Sequence, residues 1–167
     1  MTAEHIATFA LAFLAFSGSI VASGGMGKIK ELCGESTRCS DALSYCWWGI
    51  SFCAVLSVVI LVLAALRKTV LWTSTLQAFC AACASVSMSN AASIYMTKVQ
   101  LEEQINDSWY DGYARERRIP VDVSFAGFIL QSIGLLALII ALGVVNSVQV
   151  RRLMNVNPTV PTTNQLQ

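Results

Sequence analysis

Few side chains in this 167-residue chain could do chemistry, and their spacing suits it poorly. Catalysis needs titratable groups held together in a protected site. The single histidine, His5, stands at the extreme N-terminus, where a lone imidazole is solvated and idle. There is no Ser-His-Asp set, no HExxH helix, no glycine-rich phosphate loop and no dicarboxylate motif in an apolar run. Cys33 and Cys39 share a short polar stretch, which suits a disulfide in an oxidising compartment. Cys46 follows closely and could compete for either partner, so the connectivity stays open. Cys80-Ala-Ala-Cys83 has the spacing of a redox or metal pair, but a structural zinc site needs four ligands. No His or further Cys accompanies it, so small-residue packing is its expected role. The chain reads as non-enzymatic, with no catalytic, cofactor-binding or metal-ligating residues.

The elements that must position these groups are plain. Four apolar runs, at about 6–23, 47–66, 70–97 and 123–148, contain no Lys, Arg, Asp or Glu and fill more than half of the sequence. A hydrocarbon core of ~30 Å needs about 20 apolar helical residues to cross it. A backbone in lipid must satisfy its own hydrogen bonds, so the runs are expected as helices. Hydrophobic residues make up 55% of the chain and charged residues 13%, against about 25% charged in soluble proteins. The expectation is an all-α membrane protein, an antiparallel bundle of four transmembrane helices spanning 1–154. A polar Pro/Thr/Asn-rich tail at 155–167 is expected to be disordered. No remaining segment is long enough to bury a second core.

The first run lacks the positive n-region of a signal peptide and is expected to be retained. The cluster Ser23-Gly24-Gly25-Met26-Gly27 should stop it and open a loop over 24–46. Trp47 and Trp48 suit an interfacial belt. Arg67-Lys68-Thr69 alone joins the second and third runs, which makes those helices antiparallel neighbours. A second loop is expected over 98–122, with Pro120 just before the fourth helix.

Two amides interrupt the apolar pattern. Asn90 and Gln131 each lie roughly 12 Å below the same surface at 1.5 Å per residue. An amide in hydrocarbon needs partners. The expected arrangement is an interhelical clamp in which Asn90 and Gln131 bond each other, Ser87, Ser89 or nearby carbonyls. A polar ligand or lipid-headgroup site is the alternative. From Ala78 to Ser93 the third helix is crowded with Ala, Cys and Ser, which let backbones approach closely. It is expected inside the bundle or at an oligomer contact, with the Leu/Ile/Phe/Val-rich first and fourth helices facing lipid.

Four crossings put both termini on one side. Arg67-Lys68 and Arg151-Arg152 lie at helix ends as cytoplasmic anchors do. The long loops nevertheless hold seven Lys/Arg (Lys28, Lys30, Arg38, Lys98, Arg115, Arg117, Arg118) against four on the other side. The Cys33/Cys39 pair and the sequon Asn106-Asp107-Ser108 favour loops outside and termini in the cytosol. Net charge of +1 gives no reason to expect nucleic acid. The expected partners are the lipid bilayer and other membrane proteins, or a second copy through the third helix.

The order of parts, with the Ala/Ser-rich stretch Ala78–Ser93 and the fourth-helix segment Phe125-Ala-Gly-Phe-Ile-Leu-Gln-Ser-Ile-Gly-Leu-Leu, resembles the MARVEL-type tetraspan proteins. The resemblance covers nearly the whole chain and rests on architecture, without a signature motif. The claudin first-loop pattern is missing, because Trp47-Trp48 follow the cysteines and do not flank them. The resemblance implies a membrane-organising, vesicle-trafficking or scaffold role at the plasma membrane or in secretory vesicles, an organelle membrane being the other setting. Two other readings are a small accessory subunit of a large membrane complex and an oligomeric pore lined by Ser85, Ser89, Asn90 and Gln131.

Overall fold

The computed structural model describes the backbone of residues 3–33, 37–66, 68–106 and 111–156, and the side chains of 6–31, 43–66, 68–69, 71–99 and 118–148. Four helices make up almost all of it: α1 (Ala3–Cys33), α2 (Thr37–Ala65), α3 (Thr73–Asn106) and α4 (Asp111–Val156). A short 3-10 turn, Thr69–Trp72, leads into α3. No strand occurs among the described residues. Three helices are long and apolar enough to cross a membrane, over Ile6–Glu31, Leu43–Ala65 and Arg118–Val148. By the same measure α3 is not among them. Its apolar stretch holds no charge, but Ser85, Ser87, Ser89, Asn90 and Ser93 lower its hydropathy.

All four helices overrun the apolar runs, and both expected loops are largely helical. The glycine cluster does not stop α1, which continues through it to Cys33. Gly25 shows why. A Cβ there would lie 2.3 Å from Ser124 Oγ and 2.8 Å from the Pro120 carbonyl oxygen. The glycine is a point of close helix approach and leaves the backbone helical. At the other corner, α3 runs on to Asn106 through Lys98, Leu101, Glu102, Glu103 and Gln104, residue types that favour helix. Pro120 lies inside α4, nine residues after its start. The expected disordered tail begins late, because Asn155 and Val156 close α4; 157–167 lies outside the described residues.

Packing is uneven. α4 packs most extensively, against α1 on one side and α3 on the other; α2 leans on α1 and only lightly on α3. α4 is also the most buried of the three apolar helices, which corrects the expectation that α4 is one of the more lipid-facing helices. The α1–α4 seam is built from small residues at alternating three- and four-residue spacing. A Cβ on Gly134 would meet Ala15, one on Gly18 would meet Gln131, and one on Gly127 would meet Ala22, each within 3.0 Å of backbone atoms. The numbers fall on α4 as they rise on α1, so the two are antiparallel and in backbone contact.

Two apolar clusters fill the interior. One gathers Ala12, Ala15, Cys53, Leu56, Ile60, Leu76, Cys80, Cys83, Leu135, Leu138 and Leu142. The other gathers Ala22, Met26, Leu43, Cys46, Ile50, Ala91, Ile94, Val121 and Phe128 toward the opposite end. The polar groups that could act lie between these layers.

Candidate functional site

Gln131 is fully buried on α4 and is the centre of a three-helix hydrogen-bond chain. Its Nε2 donates to Ser19 Oγ on α1 at 2.7 Å. The Ser19 hydroxyl in turn reaches the Ala15 carbonyl at 3.3 Å. From α3, Ser87 Oγ lies 3.0 Å from Gln131 Oε1 and 3.1 Å from the Phe128 carbonyl, sharing one proton between two acceptors. Gly18 makes this possible: a Cβ there would lie 2.6 Å from the Gln131 backbone nitrogen, so only glycine lets α1 come this close. A second bond ties α3 to α4 lower down, where Gln77 Nε2 donates to the Ile139 carbonyl at 3.0 Å. Higher up, Lys98 and Asp122 pair at 2.8 Å, and the Tyr95 and Phe125 rings stand 6.0 Å apart.

Asn90 does not join this network. It is only 1% exposed, yet neither its Oδ1 nor its Nδ2 has a hydrogen-bond partner. Its amide faces α2: a Cβ on Gly49 would lie 2.6 Å from Asn90 Nδ2 and 2.9 Å from a Val86 methyl. The expected Asn90–Gln131 clamp is therefore replaced by a Gln131–Ser87–Ser19 clamp. On a helix, positions three apart differ in direction by about 60°, so Ser87 meets α4 while Asn90 turns to α2. Ser89 is exposed, and its carbonyl accepts from Ser93 Oγ at 3.1 Å. Ser85 is also exposed and bonds its own helix at the Ala81 carbonyl. The four residues a pore would need thus do not face one channel.

Residue identity alone did not single out Ser19, Gln77, Gly18 or Gly49. A usable signal was present in the matched spacing of Ala15, Gly18, Ala22 and Gly25 with Ser124, Gly127, Gln131 and Gly134. Both sets repeat at intervals of three, four and three residues.

The cysteines take several positions. Cys33 closes α1 and Cys39 lies in the first turn of α2. Their side chains, and so the expected disulfide, lie outside the described residues. Cys46, Cys53, Cys80 and Cys83 are buried free thiols. Cys53 Sγ lies 3.7 Å from the Cys83 carbonyl oxygen, a weak contact between α2 and α3. Among the described residues no three His, Cys, Asp or Glu side chains gather as a metal site requires. The sequon residue Asn106 is the last residue of α3; its side chain and the remainder of the motif lie outside the described residues.

The outer faces of the helices differ. α1, α2 and α4 present Phe9, Phe13, Ile20, Val55, Val62, Ile133, Ile140 and Val144. α3 exposes a stripe of Ala78, Ala82, Ser85, Ser89, Ala92 and Ser93, together with the larger Phe79, Met88, Tyr95 and Met96. Set against family models, curated proteins and solved structures, the chain has no match.

Proposed function

We propose that the chain is a non-enzymatic tetraspan membrane protein that organises membrane by associating with copies of itself through α3. Four crossings are supported by the way α3 lies along α4. Gln77, Ser87 and Tyr95 meet Ile139, Phe128 and Phe125 in antiparallel order, so α3 occupies the same depth as a helix that is apolar enough to span. Both termini then lie on one side, the cytosol, with the α1–α2 and α3–α4 corners outside.

The observation that carries the reading is the outer face of α3. Lipid gains little from Ala and Ser, whereas small residues let a second backbone approach to van der Waals distance and let hydroxyls bond across helices. α3 also exposes Phe79, Met88, Tyr95 and Met96, but over 81–85 and 89–93 every exposed residue is Ala or Ser. Self-association through this face suits a membrane organiser, the role implied by the MARVEL-type resemblance.

Single cysteines at Ala82, Ser85, Ser89 and Val62, placed in a cysteine-free background and oxidised in native vesicles, test this. Dimers are expected from the three α3 positions and not from Val62. Monomers at every position, in a protein that still resists alkaline extraction, would overturn self-association. Co-purification in mild detergent with one larger stoichiometric complex would favour the accessory-subunit reading of the same face.

A further inference from the structure

The α2–α3 seam closes at one end and opens at the other. Near Gly49 the two helices touch through Asn90 and Val86. Toward the connecting turn they part around a groove of about 480 Å³, lined on α2 by Val55, Leu56, Val59 and Leu63, by Trp72 at the end of the 3-10 turn, and on α3 by Thr75 and Leu76. Its inner end is stopped by Phe52 and Phe79, whose rings stand 6.3 Å apart and tilted at 59°. Among the described residues that line it, Thr75 carries the one hydroxyl.

The end at the turn has a different chemistry. Trp72 is half exposed, and an indole in that position suits the headgroup level of a bilayer. The exposed Lys68 caps the 3-10 turn that delivers Trp72 to the groove, with its carbonyl accepting from the Leu71 amide at 3.3 Å. Lys68 stands four residues before Trp72, at the start of the turn that ends in the groove wall; a cation there, an amphipathic ring and apolar walls beyond it match an anionic amphiphile inserted tail first.

We infer that this groove holds one acyl chain of an anionic phospholipid, with the phosphate at Lys68 and the chain ending against Phe52 and Phe79. The inference rests on the reading that α2 and α3 both cross the membrane. A lipid in this seam supplies packing that the helices do not supply to each other, and it makes the α2–α3 half of the bundle sensitive to membrane composition.

The test uses the full chain with Trp47, Trp48 and Trp109 changed to Phe, leaving Trp72 as reporter. It is reconstituted into phosphatidylcholine vesicles in which either phosphatidylcholine or phosphatidylglycerol is brominated along its chains. Trp72 quenching is expected to favour the anionic lipid by about fivefold, the ratio set by one lysine near an anionic surface. Lys68→Gln should remove that preference. Val59→Phe with Thr75→Phe should fill the groove and reduce quenching by both lipids. Equal quenching by the two lipids, unchanged in the filled variant, would overturn the proposal. So would a Trp72 shielded from bromine while Val59→Cys crosslinks between copies, because a second copy would then occupy the seam. Release of the unmodified protein by alkaline extraction would instead defeat the membrane-spanning reading beneath it.

Discussion

The α1–α4 and α2–α3 seams are built from the same parts, a glycine on one helix facing an amide on the other, with opposite results. At Gly18 the approach is backbone to backbone, and the Gln131 amide beside it is bonded on both its nitrogen and its oxygen. At Gly49 the approach is backbone to side-chain tip, and the Asn90 amide has no partner. Burial of an amide is tolerable only when its hydrogen bonds are replaced, and an orphaned group carries its full desolvation cost, about 1–3 kcal/mol. The first seam therefore holds the bundle together. The second is poorly satisfied, which agrees with its light packing and with the groove that opens along it.

Forcing apart the α1–α4 seam should have the largest effect. A Cβ on Gly127 would lie 2.4 Å from the Ala22 nitrogen and 2.7 Å from its Cα. Backbone atoms cannot rotate away as a side chain does, so the helices must separate. Gly127→Ala is expected to lower stability by about 3 kcal/mol, the upper part of the range for overpacking. Reversible unfolding in mixed detergent micelles would measure it. A loss smaller than that of Gly49→Ala would invert the ranking of the seams, because the Cβ on Gly49 meets only the movable ends of Asn90 and Val86.

The two amides should respond with opposite signs. Gln131→Leu removes the bonds to Ser19 and Ser87, whose hydroxyls retain the Ala15 and Phe128 carbonyls. The expected loss is about 1 kcal/mol, as for interhelical polar contacts in membranes. Asn90→Leu replaces an unbonded amide with an apolar group of similar shape, and a gain of about 1 kcal/mol is expected. The same unfolding measurement decides both. A loss at both positions would mean that Asn90 is satisfied in the bilayer and that the contrast between the seams fails.

Helix number and order were legible in the sequence because charge-free apolar runs leave little freedom about where chain meets lipid. Relative level along the bundle was legible too: Asn90 and Gln131 were placed together, and Ser87, three residues from Asn90, does meet Gln131. Which neighbour each face of α3 meets was not legible. That rotation is set by how closely α1 and α4 approach, which depends on Gly18, Gly127 and Gly134 acting together. The small residues of α3 drew attention by their number, yet many of them are exposed. The fewer small residues of α1 and α4 matter more because they are matched in register. Helix ends were misread at Gly24–Gly27 because a glycine cluster has the same composition whether it ends a helix or brings two helices together.

That ambiguity provides the smallest effect and the most selective test. Within one cluster, Gly25 faces Ser124 and the Pro120 carbonyl, whereas Gly24 has nothing within 4 Å of where a Cβ would stand. Gly24 is exposed, so its missing side chain serves no contact and only leaves the unfolded backbone more freedom. Gly24→Ala should then raise stability by about 0.5–1 kcal/mol, the helix-interior difference between the two residues. Gly25→Ala, one position along, should lower it, because the neighbouring α4 backbone must move. If the cluster were a helix terminus, both alanines would be unfavourable for the same reason and the signs would agree. Opposite signs at adjacent glycines would show that α1 continues as a helix past the level where its apolar run ends, held there by α4.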